Sequence, residues 1–449
     1  IFLNIIMTIE VIPIGGFTEV GKNMTAIRYN DEIILLDMGF FLPAVIDYEE
    51  GNKSRRLLSR EEFIGLGALP DDTILLSFRE QVKAIVLSHC HLDHIGAVPW
   101  LAKSYPHAAI IGTPYTIAVL NNAIKEDRIP LKNIRKSISP NSQIEITKKL
   151  SIELIHITHS TLQCAIVAIH TPEGTVLYAN DYKFDSTPVV GKKPNVKRLK
   201  ELGSNNVRCL ISNSLYSNTE GKTPSEVVAK ELLKEVMLGT DNSSSALFAT
   251  TFASHIARLK SIYDFGRKLD RQVVFLGRSM LKYISAAERL KLVEFPHARL
   301  YAGKQIKKVL KEVEKKRSKY LVICTGGQGE SNAVLSRIAK QELDFKFLQE
   351  DHVIFSNRTI PVPINIENRK ILEETLKQRG VRLFKDAHVS GHCSIEDIRD
   401  LIKLTKPEFI VPTHGYHKMY DGIKNLASNM GYETGKTLHV MKNAQKISI

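Results

Sequence analysis

The first part of the chain is patterned in short β-branched and apolar runs separated by turn residues. Such runs occupy 9–14, 33–37, 84–88, 109–112, 152–156, 167–170 and 176–179, and each predicts a strand. Between them, 96–104 and 114–125 carry apolar positions at helical spacing, so this region mixes strands and helices in a sandwich-like arrangement. From about residue 210 to 356 the rhythm changes. Strand-like 210–212, 246–250, 272–276 and 320–324 alternate with helix-like 224–238, 255–268, 281–292 and 333–340. That alternation predicts a parallel, doubly wound α/β domain. Beyond it, 371–379, 395–404 and 409–412 continue as strands with helices, and no internal repeat or low-complexity linker interrupts the series.

At 449 residues the chain is too long for one ordinary core, and 43% apolar with 24% charged residues is a globular balance, so two domains are expected. No apolar run reaches the roughly 18 residues a membrane span needs, and no membrane partner is expected. The opening Ile1 to Ile6 lacks the basic start and small-residue cleavage site of a signal peptide, and Met7 reads as the natural start. Cys90, Cys164, Cys209, Cys324 and Cys393 are scattered without C-x-x-C spacing, which argues against a disulfide framework and for a reducing, cytoplasmic compartment. A formal charge of +14 attracts polyanions and makes nucleic acid the leading partner class, with general solubility as the plainer reading.

The densest chemical signal is Ser88-His89-Cys90-His91-Leu92-Asp93-His94, set between a strand-like run over 82–87 and a helix opening at Ile95-Gly96. Four donors in so short a loop cannot converge on one ion, because alternate side chains turn in different directions. Two ions are implied, His89 and His91 facing one, Asp93 and His94 its neighbour. Imidazole with hard carboxylate suits zinc or manganese. The competing reading is a polar helix start with Asp93 as cap and exposed histidines.

Further ligands are expected at strand ends in turn-rich contexts, and three fit. His159 follows 152–156, Asp181 follows 176–179 and His414 follows 409–412. Singly each reads as an ordinary turn residue. With the loop they complete two coordination spheres, a carboxylate at Asp181 able to bridge both ions and one position left for a shared water. Two such cations activate water and clamp an in-line displacement at phosphorus. Separately, 325–329 lies between a strand and a helix, where consecutive backbone N–H groups can cradle a phosphate; a plain tight turn is the alternative. Ser390-Gly391-His392 is a similar short donor cluster beside His388.

Taken in order, these residues resemble a known family: the metallo-β-lactamase fold with an inserted β-CASP domain and, within it, ribonuclease J of the archaeal type. Gly15-Gly16-Phe17-Thr18-Glu19-Val20-Gly21-Lys22-Asn23 resembles the family's opening motif, and Leu36-Asp37-Met38-Gly39 its second strand end. His89, His91, Asp93 and His94 are similar to the signature metal loop, and His159, Asp181 and His414 to the remaining ligands. Asp386-Ala387-His388-Val389-Ser390-Gly391-His392 resembles the second β-CASP motif, and Pro412-Thr413-His414-Gly415 the third. Thr251-Phe252-Ala253-Ser254-His255-Ile256, Leu276-Gly277-Arg278-Ser279-Met280 and Cys324-Thr325-Gly326-Gly327-Gln328-Gly329-Glu330 resemble ribonuclease J loops of the inserted domain. Ser254, His255, Arg278, Ser279, Thr325, Gly326 and Gly327 are thereby expected to bind substrate, as are Ser390, Gly391 and His392, the two donor clusters forming a 5′-monophosphate pocket.

The resemblance implies an α/β architecture, a metallo-β-lactamase αββα sandwich over 7–208 and 361–449 with a β-CASP α/β domain inserted over 209–360. It implies a zinc-dependent ribonuclease with two Zn2+ per chain, Mn2+ or Mg2+ being alternatives in activity. The expected action is 5′-to-3′ exonuclease on 5′-monophosphorylated single-stranded RNA in RNA processing and decay. Asp93, His94 and His388 are the expected catalytic groups. His388 is not needed as a ligand, which leaves it for protonation chemistry or for holding the scissile phosphate. Asp37 is expected to orient a ligand histidine. One position departs from the pattern: the first β-CASP motif normally has an acidic residue where 211–216 offers Asn213, which can hydrogen-bond but carries no charge. The lysine-rich stretch 304–319 reads first as a solvated helix face. Two alternatives stand beside the leading reading, an endoribonuclease of the cleavage-and-polyadenylation type and a metal-free RNA-binding subunit; the second is disfavoured because no ligand is missing. A homodimer and partners in an RNA-decay complex complete the expectations.

Overall fold

A computed structural model describes residues 8–50 and 54–449, so the reading of Met7 as the start lies outside the described residues. The chain divides into two compact units: one runs up to Ser186 and adds Lys192–Thr223 and Gly391–Ile449, and the other comprises Thr187–Gly191 and Pro224–Ser390.

In the first unit, one sheet is built from β1 (Ile9–Gly15), β2 (Met24–Tyr29), β3 (Glu32–Leu36), β4 (Val82–Leu87), β5 (Ala109–Gly112), β6 (Arg135–Ser137) and the late strand β19 (Ile447–Ser448), in the order β19-β1-β2-β3-β4-β5-β6. The other uses β7 (Ser142–Glu145), β8 (Ser151–His156), β9 (Ala165–Thr171), β10 (Gly174–Ala179), β11 (Val207–Asn213) and β18 (Phe409–Thr413), in the order β18-β11-β10-β9-β8-β7. Alternation sorts the side chains. Ala84 and Val86 of β4 join Ile152 and Leu154 of β8, Val176 and Tyr178 of β10 and Ile211 of β11 in one core cluster. Leu177, Ala179 and Leu210 face the other way and are covered by Leu199, Leu401, Ile423 and Leu426 from the helices Val196–Leu202, Ile395–Thr405 and Asp421–Asn429. With both faces buried, β10 reads as a continuous apolar run over 176–179, while in β2 Thr25 and Arg28 interrupt the pattern.

Sequence reading assigned 209–360 to the inserted domain. Instead β11 is a central strand of the first unit, with Ile211 opposite Tyr178 on one side and Val411 on the other. A buried parallel strand looks the same in either domain, so only its pairing decides where it belongs. Apart from Thr187–Gly191, the second unit therefore runs from Pro224 to Ser390, not from 209 to 360.

That second unit is the expected doubly wound domain. Its strands β12 (Leu247–Thr250), β13 (Gln272–Leu276), β14 (Arg299–Tyr301), β15 (Tyr320–Cys324), β16 (His352–Phe355) and β17 (Arg382–Phe384) are parallel, in the order β14-β13-β15-β12-β16-β17. The helix Pro363–Lys377 was placed in the return segment and begun at 371. It starts at Pro363, whose missing N–H costs nothing in a first helical turn, and its Leu372 and Leu376 join Phe355 and Val381 in this unit's core. The lysine-rich helix Gln305–Lys315 buries Ile306, Val309, Leu310 and Val313 and exposes its lysines, as a solvated face should. Among the described residues no helix is long and apolar enough to cross a membrane.

Candidate metal centre

β4 delivers the chain into the histidine loop, and the helix Leu92–Ile95 follows at once with His91 at its N-cap. β8 leads to His159, β10 to Asp181 and β18 to His414. Strand ends from both sheets of the first unit thus bring all seven expected donors together. Their atoms form overlapping sets within 4.8 Å: His89, His91, His159 and Asp181; Asp93, His94 and His414; Asp181, His392 and His414. His91 Nδ1 lies 3.1 Å from Nε2 of both His89 and His159. Asp181 Oδ2 lies 3.5, 3.4 and 3.3 Å from Nε2 of His89, His94 and His159. Tetrahedral ligands about 2.0–2.1 Å from a zinc ion stand roughly 3.3–3.4 Å from one another, so this donor set fits such an ion, with Asp181 shared between sets.

Four of the histidines have their other nitrogen engaged, which settles which nitrogen faces the centre. His94 Nδ1 donates to Asp37 Oδ2 at 2.7 Å, His159 Nδ1 to the Gly391 carbonyl at 2.7 Å and His414 Nδ1 to Asn23 Oδ1 at 3.0 Å. Asp37 also accepts 2.8 Å bonds from the Ser88 amide and hydroxyl. Having spent its hydrogen there, the Ser88 hydroxyl accepts from His89 Nδ1 at 3.0 Å. Two members adopt left-handed backbone, with φ of 57° at Asp37 and 62° at His414. Their amides are pinned to Val86 O (2.9 Å) and Gly16 O (2.6 Å), so surrounding strands hold a conformation that non-glycine residues rarely adopt.

Burial disfavours the cationic form of His89, His159 and His414 and brings His91 to about 4, leaving neutral donors at neutral pH. His94 behaves differently. Burial opposes its charge, but Asp93, Asp181 and Asp37 outweigh that and raise it well above the ordinary histidine range. His392 is raised in the same way, burial being outweighed by Asp181. A buried ring of imidazoles around two ionised carboxylates needs positive charge, supplied by protons or by metal cations.

Two placements differ from the sequence reading. His392, expected in the phosphate pocket, has Nδ1 3.5 Å from Asp181 Oδ1 and 3.4 Å from Asn213 Nδ2. Asn213 in turn donates to Asp181 Oδ1 at 2.8 Å, so the uncharged residue at this position supplies a donor to the shared carboxylate. Gly391, expected as an amide donor, instead gives its carbonyl to His159, and a Cβ there would stand 2.7 Å from Ser160 Oγ. The histidine density of 388–392 was the signal available in sequence. Nothing local said which ring reaches Asp181.

In the second unit, Ser254 and His255 follow β12, Arg278 and Ser279 follow β13, and Thr325 to Gly327 follow β15, all at the carboxyl ends of parallel strands. That edge is where open α/β sheets receive ligands. The 325–329 loop is not a free cradle, however: the amides of Thr325, Gln328 and Gly329 bond to Leu276 O (3.2 Å), Glu330 Oε2 (3.2 Å) and Gly326 O (3.1 Å). Gly327 offers its carbonyl to Asn357 (3.0 Å) and Arg369 (2.6 Å). His388 belongs to this unit, and burial together with the Arg258 guanidinium lowers it to about 3. In this setting its cation is disfavoured, and Arg258 Nη1 stands 3.3 Å from its Nδ1. Sequence reasoning passed over Arg258 and its buried partner Glu226, since a lone charged residue on a helix reads as solvated.

Comparison with known proteins agrees with this anatomy. Residues 17–198 match the metallo-β-lactamase superfamily, 244–373 the ribonuclease J beta-CASP domain, and 381–437 a Zn-dependent metallo-hydrolase RNA specificity domain. The chain is similar to ribonuclease J of Methanocaldococcus jannaschii, 44% identical over 98% of this chain and 99% of that one. It is likewise 44% identical to ribonuclease J of Pyrococcus abyssi, over 98% and 97% of the two chains. Ribonuclease J of Thermus thermophilus is 33% identical over 96% of this chain and 72% of its own. Among solved structures, a protein of unknown function from Enterococcus faecalis shares the fold, with a TM-score of 0.65 at 16% identity over 98% of this chain and all of that one.

Proposed function

The chain belongs to the ribonuclease J family and is a metal-dependent ribonuclease of the metallo-β-lactamase fold, and from that premise we propose that it degrades 5′-monophosphorylated single-stranded RNA from 5′ to 3′ in the cytoplasm, using two zinc ions. The observation that carries the reading is the convergence of seven donors in two adjacent sets, with Asp181 Oδ2 of one set 3.4 Å from His94 Nε2 of the other and four histidine tautomers set by outer partners. When bound, divalent cations supply Lewis acidity and lower the pKa of water.

The protein's own groups do the rest. His89, His91 and His159 with Asp181 would hold one cation, and Asp93, His94 and His414 would hold the other beside it. Water attacks phosphorus in line and releases a proton to solvent, the bond to the 3′ oxygen breaks, and that oxygen takes up a proton. His392, whose Nδ1 lies 3.5 Å from Asp181 Oδ1 and whose side chain is 22% exposed, is the group we assign to give that proton. Asn213 steadies Asp181 through its amide. In the second unit His388 holds a phosphate of the RNA, with Ser254, His255, Arg278 and Ser279 as further contacts along the carboxyl edge of the sheet. The metal-free binding reading is disfavoured because no donor of either set is replaced.

The test is one RNA labelled at either end and carrying 5′-hydroxyl, monophosphate or triphosphate. Mononucleotides released from the 5′ label of the monophosphate form alone are expected. Equal internal cutting of all three would overturn the exonuclease reading in favour of the endonuclease alternative.

A further inference from the structure

The polar heart of the second unit is an ion pair that the catalytic reading does not use. Arg258 is wholly buried on the helix Ile256–Lys268. Its Nε and Nη2 donate to Glu226 Oε1 and Oε2 at 2.5 and 2.9 Å, and Glu226 is itself buried. Its Nη1 faces the Ser356 carbonyl and hydroxyl, both at 2.9 Å, the Ala387 carbonyl at 3.2 Å and His388 Nδ1 at 3.3 Å. The Ser356 hydroxyl spends its own hydrogen on Ala387 O at 2.6 Å, so toward Arg258 it can only accept.

A guanidinium has hydrogens and no lone pair. A nitrogen that faces it closely must present its lone pair, since a second N–H there would meet hydrogen with hydrogen. We propose that Arg258, anchored by Glu226, is a positioning residue that holds His388 as the neutral imidazole with its proton on Nε2. This deepens the proposed function and rests on its reading that His388 meets an RNA phosphate: a lone pair on Nδ1 leaves Nε2–H as the donor to that phosphate. His388 then acts as a fixed neutral donor and not as a titrating acid.

The charged groups acting on the ring agree. Burial, Arg258, His255 and Arg358 disfavour its cation and Glu226 favours it, the balance lying at about 3. Glu226 is also 3.3 Å from His255 Nε2, so the carboxylate is shared between the two histidines' surroundings.

The direct test is nitrogen NMR of histidine-labelled, zinc-loaded protein, with the His388 signals identified by their loss in His388→Gln. The expected result from pH 5 to 8 is a constant spectrum with a proton on Nε2 and an unprotonated Nδ1. A proton on Nδ1, or a titration within that range, would overturn the proposal. Arg258→Gln alone leaves a buried carboxylate without its partner and can fail to fold, so the paired Glu226→Gln/Arg258→Gln variant is the second arm. In it His388 should lose its single tautomer and titrate closer to the ordinary histidine value; an unchanged His388 spectrum would remove Arg258 from the account. Activity separates this from the parent reading. Because the glutamine amide can place an N–H where Nε2 stands, His388→Gln should retain RNA cleavage within about tenfold of wild type while His388→Ala loses roughly 10- to 100-fold. If His388→Ala cleaves normally while the spectrum is as expected, the phosphate contact of the proposed function fails and the tautomer assignment stands.

Discussion

The two polar centres of this chain are opposites. In the first unit, lone pairs converge: Nε2 of His89, His94, His159 and His414 and Nδ1 of His91 turn inward around Asp93 and Asp181, while outer hydrogens go to Ser88, Asp37, Gly391 and Asn23. In the second unit, hydrogens converge: Arg258 supplies the positive charge itself and spreads its donors over Glu226, Ser356, Ala387 and His388. The first arrangement takes its positive charge from solution, as protons or metal cations; the second carries a cation in its sequence.

The sharpest way to break this comparison is to remove a lone pair from the first centre. His89→Ala should lower metal content by at least one ion in elemental analysis and cut RNA cleavage by roughly two orders of magnitude or more. Full metal content in that variant would mean that the inward-facing set is not the binding site.

A smaller effect is expected from adding bulk behind each centre. Gly391→Leu would press on Ser160, at 2.7 Å from the ideal Cβ, and through it on the His159 contact, weakening metal binding by about 10- to 100-fold. End-dependent and internal cleavage should fall together in that variant. Gly327→Leu would press on Asn357, whose Oδ1 lies 2.6 Å from the ideal Cβ, and should leave metal content unchanged. Metal titration of the two variants side by side checks the contrast; equal loss of metal in both would show that the centres are not separable.

The smallest expected effect lies away from both. Glu153, held by burial-resistant bonds to His170 and Arg198, is lowered from an ordinary 4.5 to about 2 despite the opposing effect of burial. A carboxylate with a depressed folded value contributes stability that is complete above the unfolded value and lost as pH falls through the folded one. Glu153→Gln should therefore cost about 1 kcal/mol at pH 7, discounted for the solvent exposure of its partner Arg198, and nothing below pH 2. Urea unfolding at pH 7 and near pH 2.5 checks it: the gap between wild type and variant should shrink in acid.

What the sequence determined by itself was local in origin. The histidine loop packs four donors into six residues, and the strand-end residues His159, Asp181 and His414 follow apolar runs that announce their own strands, so pattern and chemistry coincide at each position. Short buried strands and turn chemistry are set by neighbours in the chain, and so the sandwich and the doubly wound domain were both legible. Tertiary structure alone decided matters that depend on pairing across hundreds of residues. β11 took its place between β10 and β18, His392 rather than His388 reached Asp181, and the Gly391 carbonyl found His159. The same holds for the direction of each imidazole: a ring has two nitrogens that sequence cannot tell apart, and only the partner on its far side, brought there by the fold, decides which of them carries the proton.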